Sequence, residues 1–84
     1  MTHDNALAQA RAALDGGRLD EAAERIDALL GYRPDSVDAR RLQGLLLLRQ
    51  RRPRRAAAAF EAVVAARPDD AGCLIDFGRA LNNA

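Results

Sequence analysis

Residues 10–34, ARAALDGGRLDEAAERIDALLGYRP, and residues 44–68, GLLLLRQRRPRRAAAAFEAVVAARP, share one pattern with a step of 34 positions. In each stretch an alanine, Ala22 or Ala56, is followed four residues later by a large apolar residue, and a proline closes the stretch. Small residues at positions 10, 44 and 78 carry the same step into a third copy. A repeat of this length indicates a stacked array of helical units, an architecture that binds other chains on an extended surface.

The composition also favours an all-helical fold in one small domain. The chain has 84 residues, 49% of them hydrophobic, and alanine and leucine account for most of that share. Both are strong helix formers. All 13 basic residues are arginine, which is typical of a GC-rich bacterial genome, and the net charge of +1 argues against a general affinity for polyanions.

Helical periodicity predicts five helices, at about 4–15, 19–32, 36–50, 53–67 and 71–82. Gly16-Gly17 and the prolines separate them, and Asp35 or Ser36 is expected to cap the third helix. Because every connection is short, successive helices should be antiparallel neighbours. The predicted inward faces are Leu7, Ala10 and Leu14; Ala22, Ile26, Leu29 and Leu30; Leu42, Leu45, Leu46 and Leu48; Ala56, Phe60, Val63 and Val64; and Leu74, Phe77, Gly78 and Leu81.

These residues resemble the tetratricopeptide repeat family, whose units combine a small residue in the first helix, an alanine, a large apolar residue and a closing proline. The second unit has all four elements, and the first has them as Ala10, Ala22, Ile26 and Pro34 in the same register, with Gly17 at its turn. The third unit has only the opening half. Arg40 and Gln43 depart from the family pattern, which places large apolar residues there. An ordinary helical bundle with accidental spacing is the alternative.

The resemblance implies a right-handed superhelical array of antiparallel helix pairs in a single domain over 1–84. Repeat 1 would span about 3–36, repeat 2 about 37–70, and a half repeat 71–84. The fifth helix would lack a covering sixth helix, so either the chain is a truncated piece of a longer protein or this helix pairs with a second copy. A monomer that ends here is the less favoured interpretation. The residues expected to self-associate are Leu74, Phe77 and Leu81.

Nothing in the chain points to catalysis. His3 is the only histidine and is expected to lie in a frayed terminus, and Cys73 is expected to be a small packing residue. One cysteine excludes an intramolecular disulfide and a multi-cysteine metal site, so we expect neither a metal nor a cofactor. The amino terminus does not resemble a signal peptide, and the longest leucine run is too short to span a membrane. We therefore expect a cytoplasmic location.

In the resembled family the first helix of each unit lines a concave groove. The resemblance then implies a groove that mixes apolar residues and arginines and suits a protein or peptide with acidic and aliphatic residues, because the planar guanidinium holds carboxylates. The alternative is that these arginines are solvated and the leucines belong to the core. The family's clamp for chaperone tails is absent, since the matching positions carry other residues. The groove residues are Leu7, Arg11 and Leu14; Arg41, Leu45, Leu48 and Arg49; and Ile75, Arg79 and Asn82.

A run of arginines, at 49, 51, 52, 54 and 55, lies in a stretch with no acidic residue between Asp38 and Glu61. Three interpretations are open: a solvated turn, a contact with an acidic stretch of another subunit or domain, or a contact with nucleic acid or anionic lipid. The last is disfavoured by the near-zero net charge and by the scarcity of aromatic residues.

The sequence therefore predicts a non-catalytic protein–protein interaction scaffold. Two alternatives stay open: a self-association element that forms a homodimer through the fifth helix, and the helical appendage of a larger enzyme such as a transferase.

Overall fold

A computed structural model describes residues 2–83 and shows five α-helices. No strand occurs within that range, and each predicted helix boundary is confirmed to within about one residue. The helices are α1 (His3–Asp15), α2 (Leu19–Tyr32), α3 (Val37–Arg49), α4 (Pro53–Ala66) and α5 (Ala71–Asn83).

The first helix of each unit begins at a capping side chain, and the three caps are 34 residues apart. Thr2, Ser36 and Asp70 each accept a hydrogen bond from the backbone N–H three residues later, at 3.1, 3.2 and 3.1 Å. Such a cap satisfies one of the free N–H groups of a helix start and contributes about 0.5–2 kcal/mol. Of the two candidate caps for α3, Ser36 is the one used. The repeat is thus visible in hydrogen bonds as well as in sequence.

The turns inside the two hairpins also repeat. Gly17 and Arg51 both have positive φ, 78° and 61°, and the residue after each donates its N–H to the carbonyl five residues back, at 2.9 and 2.8 Å. This is the Schellman arrangement, which favours glycine at the left-handed position. A residue with a Cβ pays roughly 1–2 kcal/mol in that conformation.

Replacing Arg51 by glycine is therefore expected to raise the free energy of unfolding by about 1 kcal/mol, because the left-handed strain disappears. The reverse change at the equivalent position, Gly17→Ala, should lower it by about the same amount. Urea unfolding followed by circular dichroism measures both. Arg52→Gln removes the same charge without altering the backbone and should change stability by less. Destabilisation by Arg51→Gly would contradict the strain argument.

The core is built on pairs of one small and one large residue. Ile26 and Phe60 are both fully buried, and each follows a small residue of the preceding helix, Ala10 or Gly44, at the same spacing. At Gly44 a Cβ would lie 2.7 Å from the Phe60 ring, so the larger aromatic ring requires glycine there. The larger cluster joins α1, α2 and α3, and the smaller one joins α4 and α5 through Ala56, Phe60 and Ala80.

The packing gives the array an inner side. Consecutive helices pack together, and in addition α1 contacts α3 and α3 contacts α5. Among residues 2–83, α2 and α4 make no comparable contact with each other. The first helices of the units are therefore closer together than the second helices, so α1, α3 and α5 line the inner side of the curve.

Helix α5 is rotated relative to the prediction. Cys73 and Ala80 are its buried residues, whereas Leu74 is 45% exposed and Leu81 is 53% exposed, so the prediction that these two leucines face inward is wrong. Phe77 is half-buried against the Phe60 cluster. The reason is that α5 contacts only α4 and α3 in the described part of the chain, and those helices lie on the side of Cys73 and Ala80.

Smaller corrections concern the groove and the terminus. Leu14 is only 2% exposed and belongs to the core, not to a groove surface. His3 is not frayed: it begins α1, and its Nε2 lies 2.9 Å from Ser36 Oγ. Of the residues predicted as core in α1 to α4, five are only half-buried: Leu7, Leu30, Leu45, Leu48 and Val64.

Candidate functional site

The inner side carries a cleft of about 300 Å³ where α1, α3 and α5 come together. Its floor contains two half-buried leucines, and its walls carry charged and amide side chains. The lining residues are Arg11, Asp15, Leu45, Leu48, Arg49, Arg79 and Asn83.

The 34-residue step explains why these residues meet. Arg11, Leu45 and Arg79 occupy the same register position on three helices, and one helical turn further along lie Asp15, Arg49 and Asn83. Because residues i and i+4 lie on one helix face, the two rows form adjacent rungs across the three helices. The fold thus places three guanidinium groups around two leucine side chains.

The cleft is net positive. Three arginines and one aspartate line it, which gives a charge of +2. Arg11 Nε lies 3.4 Å from Asp15 Oδ1 on the same helix, an exposed pair that contributes little to stability. Within residues 2–83, Arg49 and Arg79 form no ion pair with a carboxylate. Their side chains are available to bind an anionic group.

Five of the ten groove residues predicted from sequence meet in this cleft, and five do not, among them the buried Leu14. The five that meet are Arg11, Leu45, Leu48, Arg49 and Arg79. Leu7, Arg41 and Ile75 form the preceding rung of the same three helices, outside the cleft, and Ile75 is 63% exposed there. The predicted groove residue Asn82 is exposed on α5 and does not line the cleft.

Arg41 has a partner inside the fold. Its Nη2 lies 3.4 Å from Asp76 Oδ2, and both side chains are largely buried, at 31% and 14% exposure. This pair connects α3 to α5. A substitution of Arg41 would therefore disturb helix packing as well as any ligand contact, which makes it a poor probe of binding.

Sequence reasoning missed Asp15 and Asn83. The signal was present, because both share the register position of the predicted residue Arg49. Asp15 matters chemically, since its carboxylate competes with any ligand carboxylate for Arg11.

Outside the cleft, the pKa shifts of Cys73 and Asp70 follow from burial and hydrogen bonding. Burial raises the pKa of the Cys73 thiol, which disfavours the nucleophilic thiolate form. Its backbone N–H donates to Asp70, and this hydrogen bond lowers the pKa of that carboxyl group. Over residues 2–83 no group of three potential metal ligands comes together.

A larger cleft of about 410 Å³ lies between α1 and α2, on the side away from α3 and α5. Ala6 lines it, at the register position where the second unit has Arg40 and the third has Leu74. Because the alanine side chain is smaller than those of arginine and leucine, it leaves space between α1 and α2 unfilled. Five of the eight residues that line the cleft carry polar side chains, and His3 Nδ1 is buried without a partner.

Comparison with known proteins agrees with this geometry. A family model described as tetratricopeptide repeat matches residues 7–71. The chain belongs to the tetratricopeptide repeat family. The predicted family and all-helical fold are thereby confirmed. Searches of curated proteins and of solved structures find no significant match.

Tetratricopeptide repeats generally mediate protein–protein interaction and are typically non-catalytic. Among the helices within residues 2–83, none is both long enough and apolar enough to cross a membrane.

Proposed function

We propose that this tetratricopeptide repeat protein is a non-catalytic scaffold whose inner cleft binds a peptide segment with acidic and aliphatic residues. The observation that carries the proposal is the convergence of Arg11, Arg49 and Arg79 around Leu45 and Leu48. We further propose that repeat 1 spans about 3–36, repeat 2 about 37–70, and a half repeat starts at 71. The helix caps Thr2, Ser36 and Asp70, which are 34 residues apart, support this division. A cytoplasmic location and a bacterial source stay predictions.

The cleft chemistry explains the ligand class. A carboxylate can accept two parallel hydrogen bonds from one guanidinium, and such charge-assisted bonds are about twice as strong as neutral ones. The half-buried leucines offer apolar surface to an aliphatic side chain of the same segment. A peptide in which acidic and aliphatic residues alternate could place its carboxylates on the arginines and its aliphatic side chains on the leucines of the cleft.

The first test uses selection from an unbiased display library of random 12-residue peptides. We expect enrichment of Asp, Glu and aliphatic residues. Binding of the most enriched peptide, measured by fluorescence anisotropy, should weaken more than tenfold, or about 1.4 kcal/mol, when Arg11 and Arg79 are both replaced by alanine. The weakening should be smaller at high salt because the charges are exposed.

The matched control lies in the same cleft. Asp15→Asn removes the competing carboxylate and should strengthen binding of the acidic peptide, opposite in sign to the arginine variants. Circular dichroism should show all these variants folded, since the residues are exposed. Enrichment of basic peptides, or affinity unchanged in both kinds of variant, would exclude this cleft as the binding site.

The exposed side of α5 favours a second candidate function, self-association. Leu74 and Leu81 flank Gly78, where an added Cβ would have no atom within 4 Å. In the second unit Gly44, at the same register position, is covered by Phe60. The equivalent space at Gly78 could accept a helix from a second copy, with Phe77 at its edge.

Gly78→Gln tests self-association without disturbing the monomer. If copies pair through α5, light scattering should show a mass that rises above 9.1 kDa with concentration for the wild type but not for this variant. Its melting temperature as a monomer should not fall, because glycine is unfavourable inside a helix. Gly31→Gln is the matched control, since Gly31 is also open but lies on α2. A wild type that stays at 9.1 kDa at high concentration would exclude pairing.

A further inference from the structure

Five arginines surround the turn between α3 and α4, and we call them the arginine edge: Arg49, Arg51, Arg52, Arg54 and Arg55. All five are exposed. Throughout the described range 2–83 none of them forms an ion pair with a carboxylate. The first turn of α4 contains no acidic residue, so nothing there offsets positive charge at a helix start.

The first unit provides an internal control for this turn. Its equivalent positions carry Asp15, Gly17, Arg18, Asp20 and Glu21, a mixture of charges. There Arg18 Nε lies 2.9 Å from Glu21 Oε2, and this pairing lowers the pKa of Glu21. The hairpin turn of this repeat therefore forms without an arginine cluster in the first unit, and the arginine edge distinguishes the second unit from the first.

The arginine edge is continuous with the cleft. Arg49 belongs to both, and a neighbouring cleft of about 320 Å³ is lined by Leu48, Arg51, Pro53 and Asn83. Leu48 and Asn83 line both clefts. A peptide that leaves the inner cleft over Leu48 would pass directly onto the arginine edge.

We propose that the arginine edge binds a run of Asp and Glu residues that flanks the segment held in the inner cleft; this rests on the proposed function. The chemistry favours an acidic polypeptide over nucleic acid. The path offers leucine and proline surface, and none of the residues lining these two clefts is aromatic, so bases would have no platform for stacking. The partner is thus an acidic segment longer than the cleft itself.

The test compares three forms of the peptide selected on the inner cleft: unextended, extended at either end by four glutamates, or extended by four Gly/Ser residues. We expect one glutamate extension to strengthen binding about fivefold or more over the Gly/Ser form at about 50 mM NaCl, and the gain to shrink at about 300 mM. Arg54→Gln with Arg55→Gln should abolish the gain and leave binding of the Gly/Ser form unchanged.

The matched control is Arg33→Glu, which also lowers the net charge by two but at the exposed turn after α2. It should keep most of the gain. No gain from glutamate, or equal loss in the control variant, would overturn the assignment. Failure of the Gly/Ser form to bind would instead refute the proposed function, and a ten-residue glutamate peptide then tests the edge alone. Tighter binding of a 20-nucleotide oligo-dT or of anionic vesicles than of that peptide, lost in Arg54→Gln with Arg55→Gln, would reassign the edge to those ligands.

Discussion

Replacing Phe60 with alanine is expected to lower the free energy of unfolding by about 3–5 kcal/mol. The ring is fully buried, lies against Gly44 of α3 and packs with Ala56 and Ala80. It therefore joins α3, α4 and α5. Small domains have a total stability of about 5–15 kcal/mol, so this loss is a substantial part of the total. Urea unfolding followed by circular dichroism measures the loss.

Ile26→Val is the control, because it trims one methylene at the equivalent position of the first unit and should cost only about 0.5–1.5 kcal/mol. Phe60→Leu should fall between the two. A loss below about 1.5 kcal/mol for Phe60→Ala would mean that the second unit is not packed around this ring.

The second large effect is expected at Gly44. A single added methyl group would lie 2.7 Å from the Phe60 Cε1 and Cζ atoms, which is closer than carbon atoms pack. Either the ring or the α3–α4 spacing must shift, and such overpacking costs about 1–3 kcal/mol. Gly44→Ala should therefore destabilise the protein, although alanine is normally the better residue inside a helix.

Gly78→Ala makes the same change at the same register position of the third unit, where the space is open. It should stabilise the protein by about 0.5–1 kcal/mol. Combining Gly44→Ala with Phe60→Leu should recover part of the loss, and a double-mutant cycle reports the coupling. If Gly44 and Gly78 respond alike to alanine, contact with Phe60 is not what requires glycine at position 44.

Much of the candidate site follows from the repeat period. Once α1, α3 and α5 are known to be equivalent, residues at 11, 45 and 79 must share a face, and so must those at 15, 49 and 83. Which rung opens into a cleft depends on how the side chains between the helices pack. At the preceding rung Arg41 lies against α5 and pairs with Asp76. These residues are 35 positions apart, and the sequence around either one does not predict the contact.

The sequence by itself determined the five helices, their approximate boundaries and the family, because these depend on local backbone preferences and on a pattern repeated every 34 residues. Only the tertiary structure decided how α5 is rotated, with Cys73 and Ala80 buried and Leu74 and Leu81 exposed. An apolar stripe shows that a helix has a side to bury, but the side that becomes buried is the one that meets a neighbouring helix. For α5 those neighbours are α3 and α4, which cover Cys73 and Ala80 and part of Phe77 and leave Leu74 and Leu81 exposed.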